Sequence, residues 1–143
     1  PPLPKIHGIS LKPLLAGTAD AKGHEFIFAE ISDRGSLTKG MQERSVFDGR
    51  YQFTRYFSPK QHNLPATIDE LFEFNDVELF DHQTDPNELD NLAMDRQKNA
   101  DLLMAMNAKL NRLIDEEVGE DVGQMLPGGV DGGWVATPAV HDL

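Results

Sequence analysis

The spacing of apolar residues predicts one long amphipathic helix toward the end of the chain. Its apolar positions recur three and four residues apart, as they do on one face of an α-helix. These positions are Leu102, Leu103, Met106, Leu110, Leu113 and Ile114. We predict a helix from Asp95 to Val118, with Gly119 just past its end, and interpret the stripe as facing the core rather than a partner.

Four shorter segments, bounded by turn residues, have the composition of β-strands. They are His24 to Ile31, Arg44 to Phe47, Arg50 to Phe57 and Val77 to Phe80. The second and third flank Asp48-Gly49, and Asp-Gly between two such runs is a strong hairpin signal. In the third segment Tyr51, Phe53, Arg55 and Phe57 alternate onto one face. The polar residues from Ser32 to Gly40 predict a loop.

Three short helices are predicted from their capping residues. Ser10 can cap a helix from Leu11 to Ala16 that stops at Gly17. Thr67 to Glu70 forms a capping box before a helix that ends near Phe74. Asp85 and Pro86 suit the N-cap and first position of another helical turn.

These elements predict an α+β fold with a small antiparallel sheet of about four strands, packed against the long C-terminal helix. We assign residues 1–122 to one subdomain. A lead-in loop and short helix occupy 1–23, and the sheet and long helix occupy 24–119. Residues 123–143 are rich in Gly and Pro and predict an irregular tail, which Trp134 could anchor by burying its ring.

Charge and composition narrow the class of protein. Asp and Glu number 24 against 13 Lys and Arg, giving a formal net charge of -11. A nucleic-acid binder would carry a basic patch, and the sequence has none. The chain has no Cys and no apolar run long enough to span a membrane. The compartment stays open between the cytoplasm and a periplasmic or extracellular location.

The sequence holds no motif of an enzyme active site. The serines do not lie in a G-x-S-x-G elbow, and the five histidines are isolated, although a dispersed Ser-His-Asp triad stays open. Asp76, Glu78, Asp81, His82 and Asp85 lie close together in sequence. Alternation along a strand would scatter them, so we interpret them as a strand end and a helix cap rather than a metal site. We therefore expect no catalytic residue and no metal ligand here.

The loop from Ser58 to Pro65 is the best candidate for contact with an anion. Lys60 supplies a positive charge, and His62 can donate a hydrogen bond. A polar surface loop without function would look much the same. Lys60 and His62 are thus candidates for the rim of a substrate pocket.

Three segments together resemble type I sulfatases. Residues His7 to Gly17 (HGISLKPLLAG) are similar to a D-G-x-S-L-x-P-L-L-x-G stretch of that family, with His in place of Asp. Phe47 to Phe57 (FDGRYQFTRYF) is similar to its R-x-G-x-Y-K-Y-I-R-Y hairpin. Glu78 to Ala93 (ELFDHQTDPNELDNLA) is similar to E-L-Y-D-L-x-x-D-P-x-E-x-x-N-L-A, the most specific of the three. Their order and spacing agree with the family over Ile6 to Ile114.

The resemblance implies a C-terminal subdomain that docks on an N-terminal catalytic domain of the alkaline phosphatase superfamily. The parent enzyme would hydrolyse a sulfate ester of a small molecule or carbohydrate, using a formylglycine nucleophile and one divalent metal, usually calcium. The C/S-x-P-S-R motif that yields formylglycine is absent from this chain, and the family's metal ligands lie upstream of the matched region. The segment alone is then expected to be inactive.

Two alternatives remain at this point. The same subdomain could belong to a phosphonate monoester hydrolase or phosphodiesterase, which shares this architecture. The chain could also be a free-standing binding module. A docking subdomain should expose an apolar patch when isolated, whereas a free module should not.

Overall fold

A computed structural model describes residues 8–18, 22–33, 41–58 and 63–120 of the chain. These residues form a four-stranded antiparallel sheet and three α-helices, which confirms the predicted α+β class. The strands are β1 (Ile27–Asp33), β2 (Met41–Phe47), β3 (Tyr51–Phe57) and β4 (Asp76–Asp81). The helices are α1 (Lys12–Leu15), α2 (Ile68–Phe74) and α3 (Ala100–Glu117), with a 3₁₀ turn at Leu92–Met94.

The strands lie in the order of the chain, β1-β2-β3-β4, and each pairs antiparallel with the next. The turn between β2 and β3 is the predicted Asp-Gly hairpin. Gly49 has a φ of 92°, which favours glycine, and the Asp48 carboxylate accepts hydrogen bonds from the backbone of Arg50 and Tyr51 at 3.1 and 2.9 Å. The Asp-Gly signal predicts this turn correctly because it depends only on neighbouring residues.

The outer hairpin departs from the prediction. Strand β1 starts at Ile27 instead of His24 and continues to Asp33, while β2 starts at Met41 instead of Arg44. Ser32 and Asp33, the first two residues of the predicted loop from Ser32 to Gly40, therefore belong to β1, and the rest of that loop lies outside the described residues. Pairing runs without interruption from Ile27↔Phe47 to Asp33↔Met41, so the partner strand extends β1 into a stretch whose composition alone favours a loop.

Helix α3 packs across one face of the sheet. The buried side chains that form the common core are Val46, Phe53, Leu71, Val77, Leu79, Ala93, Leu103, Met106, Leu110 and Ile114. Leu102 and Leu113 of the predicted stripe are half-buried at its border. Burying one such side chain contributes about 1.5–3 kcal/mol, so this interface supplies much of the stability of the fold.

Helix α3 begins at Ala100, five residues later than predicted, and ends as predicted before Gly119. The Asp95 side chain accepts a hydrogen bond from the Lys98 backbone at 3.2 Å, and the Asn99 side chain donates to Leu92 O at 2.8 Å. These bonds hold residues 95–99 in turns. At the other end Gly119 has a φ of 78° and donates its N–H to Ile114 O at 2.9 Å.

The predicted helix start at Asp85 and Pro86 is wrong. The chain makes a tight turn there, closed by the Glu88 N–H on Asp85 O at 3.2 Å. Glu88 has a φ of 55°, which no right-handed helix accommodates. The Asp85 carboxylate accepts from Asp90 N at 2.8 Å, so it anchors this turn instead of capping a helix.

Helix α2 carries the predicted capping box. The Thr67 hydroxyl accepts from Glu70 N at 3.3 Å, and the Glu70 carboxylate accepts from Thr67 N at 3.2 Å. Helix α1 lacks such a cap, because Ser10 bonds Lys12 N at 3.3 Å while Leu11 is the residue at the cap position. No helix within the described ranges is long and apolar enough to cross a membrane. The predicted tail, including Trp134, lies outside the described residues.

Candidate functional site

The loop predicted to contact an anion lies only partly within the described residues. Lys60 and His62 are both outside them. On either side of the gap, Ser58 is buried at the end of β3 and Asn63 is half-buried. The structure therefore fixes where the loop leaves the sheet and where it returns.

The return of the loop is fastened to α3 by asparagines. Pro65 O accepts from Asn107 Nδ2 at 2.7 Å and from Asn111 Nδ2 at 2.9 Å. Asn75, after α2, donates to the Asn63 side chain at 3.0 Å. These bonds hold the described end of the loop against α2 and α3.

A groove of about 450 Å³ opens beside this loop. It is lined by Arg44, Asn63, Leu64, Ile114, Asp115, Val118, Gly119 and Glu120. Among the described lining residues the basic one is Arg44, which is 2% exposed and donates to Glu30 at 2.6 Å, while Asp115 and Glu120 add negative charge. The described lining therefore disfavours an anion, and a sulfate ester would need cations from elsewhere.

Two arginines lie inside the fold. Arg44 on β2 and Arg55 on β3 are direct cross-strand partners, 2% and 1% exposed. Arg55 Nη1 donates to the Oδ1 atoms of Asn107 and Asn111, each at 2.9 Å. Burial, with the nearby charge of Arg44, lowers the pKa of Arg55 to about 9. Arg55 thus ties the sheet to α3.

The sequence predicts the face on which Arg55 lies but not its partners. Alternation placed Arg55 on the same face as Phe53, and that face is indeed buried. The amide partners of Arg55 are 52 and 56 residues away, on a different element. Only the tertiary fold brings them together.

The acidic residues after α2 disperse, as the strand interpretation predicted. Tyr56 donates its hydroxyl to Glu78 at 2.9 Å on one face. On the other, Asp81 accepts from Arg50 at 3.0 and 2.7 Å, which lowers the pKa of Asp81 to about 2. Within the described ranges, no group of three or more potential ligands could hold a metal ion.

His82 does not join these acids in a site. Its Nε2 atom lies 3.0 Å from a Glu88 carboxylate oxygen without the alignment of a hydrogen bond. The ring also packs against Phe47, with centroids 5.3 Å apart. Both contacts stabilise the turn after β4.

No protein-family model matches the chain, and no curated protein matches it either. The resemblance to sulfatases therefore rests on the residues of the three segments themselves.

Proposed function

We propose that this chain is the C-terminal subdomain of a sulfatase, a sulfuric ester hydrolase whose catalytic domain lies outside the chain. The observation that carries the proposal is the segment from Glu78 to Ala93, which matches the sulfatase pattern at most of its fixed positions. The proposed role is to pack against the catalytic domain and to contribute to the rim of its active site.

Several fixed positions of that segment have a role in this fold. Asp81 pairs with Arg50, Asp85 holds the following turn, and Asn91 bonds β4. Ala93 is buried in the core. Because each of these positions is needed for β4 and its exit, the pattern describes an architecture rather than a reaction. This supports a subdomain role without catalytic residues.

The lead-in segment supports docking on a larger domain. It exposes four large apolar side chains that pack into no core among the described residues. Their exposed fractions are 41% for Ile9, 60% for Leu11, 39% for Leu14 and 86% for Leu15. An isolated subdomain that docks elsewhere is expected to expose such a patch, and a self-sufficient binding module is not.

The charge of the chain supports a role in which the catalytic domain, and not this chain, stabilises the charge of the reacting ester. Hydrolysis of a sulfate ester needs cations or a metal to stabilise negative charge on the oxygens. Several basic side chains here are engaged internally, such as Arg50 with Asp81 and Lys109 with Asp48. In the proposed enzyme, formylglycine and calcium supply the nucleophile and charge stabilisation from the catalytic domain. Lys60 and His62 would then contact the outer part of the substrate.

Hydrolysis of 4-nitrophenyl sulfate tests the proposal. The purified 143-residue chain and the product of the complete reading frame are assayed in parallel with added calcium. We expect turnover by the longer protein alone. Turnover by the isolated chain would disprove the subdomain role. A longer protein that hydrolyses phenylphosphonate monoesters in preference to sulfates would instead identify the related hydrolase.

The rim role has its own test in the longer protein. Lys60→Met and His62→Ala are each expected to raise KM several-fold and to leave kcat within about twofold, because a rim contact is made equally in the ground and transition states. Lys98→Met, an exposed lysine on the turn before α3, serves as the charge-matched control. An unchanged KM in both rim variants would remove these residues from the site.

A further inference from the structure

The two edge strands of the sheet differ in what bonds to their outer sides. The outer side of β4 is occupied by the Asn91 side chain, which accepts from Leu79 N at 3.0 Å and donates to Val77 O at 3.2 Å. No strand of the described part pairs with the outer side of β1. Half of the N–H and C=O groups of an edge strand point away from its neighbour, so β1 offers a row of hydrogen-bonding groups.

Strand β1 has few of the features that normally protect an edge. Its charged residues are Glu30, which is paired with Arg44, and Asp33 at its end. It is seven residues long, contains neither Pro nor Lys, and pairs residue for residue with β2 without a bulge. Exposed edges in monomeric proteins are usually shortened, charged or twisted by bulges, because a flat apolar edge recruits other strands. The length and regular pairing of β1 are typical of an edge strand that is covered by another strand.

The face of β1 opposite α3 is apolar and open. Ile27 is 61% exposed, Ile31 is 55% exposed, and Ala29 between them is also exposed. The three residues lie beside a groove of about 450 Å³ that continues over Phe47. The stripe is symmetric about Ala29, with an isoleucine two residues away on either side.

We propose that β1 pairs antiparallel with β1 of a second copy of this chain, around a two-fold axis at Ala29. This register places Ile27 opposite the second copy's Ile31, and both Ala29 residues opposite each other. Side chains directly opposite in an antiparallel pair lie on the same face, so two Ile–Ile pairs form beside the axis. The result is a continuous eight-stranded sheet with an isologous interface.

Neighbouring registers that keep α3 of both copies on one side are less favourable. Centring the pair on Glu30 would set two glutamates face to face, and like charges directly opposite destabilise a sheet. Centring it on Phe28 would place Ile31 opposite Glu25. In the Ala29 register Glu30 lies opposite Phe28 and keeps its ion pair with Arg44 at 2.6 Å.

Net charge opposes the association and makes it depend on salt. Each copy carries a formal charge of -11, and the register sets Glu25 opposite Asp33 at both ends of the pair. The Debye length falls from about 30 Å at 0.01 M salt to about 8 Å at 0.15 M, so repulsion is largely screened at the higher value. The dimer is therefore expected to tighten as salt is added. The edge of β1 has no part in the proposed function.

Sedimentation velocity of the full 143-residue chain over a range of concentrations tests the inference. We expect a reversible dimer of twice the 15.9 kDa chain mass, which strengthens between 0.01 and 0.15 M salt. The variant Ile27→Lys/Ile31→Lys is expected to weaken dimerisation about a hundredfold or more, because it places four lysines at the interface. The variant Leu11→Lys/Leu15→Lys makes the same change in charge at two exposed apolar residues of the lead-in segment and should dimerise at least as well as the parent chain.

Hydrogen exchange of the β1 amides provides the second readout. Amides that point away from β2 should become protected as concentration rises in the parent chain, and should exchange freely in Ile27→Lys/Ile31→Lys. A monomer at all concentrations would overturn the inference, and so would a dimer that the control variant abolishes equally. Protected β1 amides in a monomer would show that another segment of the same chain covers the edge, which also overturns it.

Discussion

Replacing Asn91 with alanine is expected to lower the free energy of unfolding by about 2–4 kcal/mol. The Asn91 side chain accepts from Leu79 N and Ala93 N, each at 3.0 Å, and donates to Val77 O at 3.2 Å. Each bond contributes about 0.5–1.5 kcal/mol, and a backbone group left without a partner costs more where water cannot reach it. Asn91 is half-buried, so water would compensate for part of the loss.

Urea unfolding followed by circular dichroism measures this change from the midpoint and slope of the transition. Asn87→Ala is the matched control, since Asn87 is exposed in the preceding turn, and it should shift the stability by less than about 0.5 kcal/mol. Asn91→Asp keeps an acceptor for the two N–H groups and should cost less than alanine. If Asn91→Ala and Asn87→Ala were equally stable, the side chain would not be what protects the edge of β4.

Two further predictions concern the ion pair and the cap. Because the hydrogen bond from Arg50 lowers the pKa of Asp81 from 3.8 to about 2, the stability that the pair contributes is complete above pH 4 and is lost as pH falls toward 2. Between pH 4 and 2, the free energy of unfolding of Asp81→Asn should therefore fall less steeply than that of the parent chain. Asp90→Asn, which changes an exposed residue, should retain the slope of the parent chain. Thr67→Ala removes the hydroxyl that caps α2 and should cost about 1 kcal/mol in urea unfolding, while Thr67→Ser should cost little; equal values for the two would contradict the capping geometry.

The elements that sequence predicted well are those fixed by residues close together. The Asp48-Gly49 turn and the Thr67–Glu70 capping box each depend on contacts within four residues, and both form as expected. The start of α2 and the register of the central hairpin follow from them. The periodicity of the apolar stripe likewise identified the residues of α3 that reach the core.

The elements that sequence missed depend on partners far away in the chain. Asp85-Pro86 is a good local helix start, yet Glu88 adopts a left-handed conformation and the Asp85 carboxylate turns to Asp90. The chain is then directed back along β4, where Asn91 can bond to Leu79. Strand β1 likewise continues to Asp33 because β2 pairs with it there, beyond the point where its own composition favours a strand.

The residues that carry the sulfatase resemblance also make contacts within the fold. In the segment from Glu78 to Ala93, Glu78 accepts from Tyr56, Asp81 accepts from Arg50, and Asn91 bonds the backbone of β4. Contacts of this kind stabilise the fold whichever ester the proposed parent enzyme hydrolyses. The choice between a sulfatase and a phosphonate hydrolase must then reside in residues that touch the leaving group and the nucleophile. Under the proposed function, the nucleophile motif of the catalytic domain and the loop of Lys60 and His62 are the places where that choice can be read.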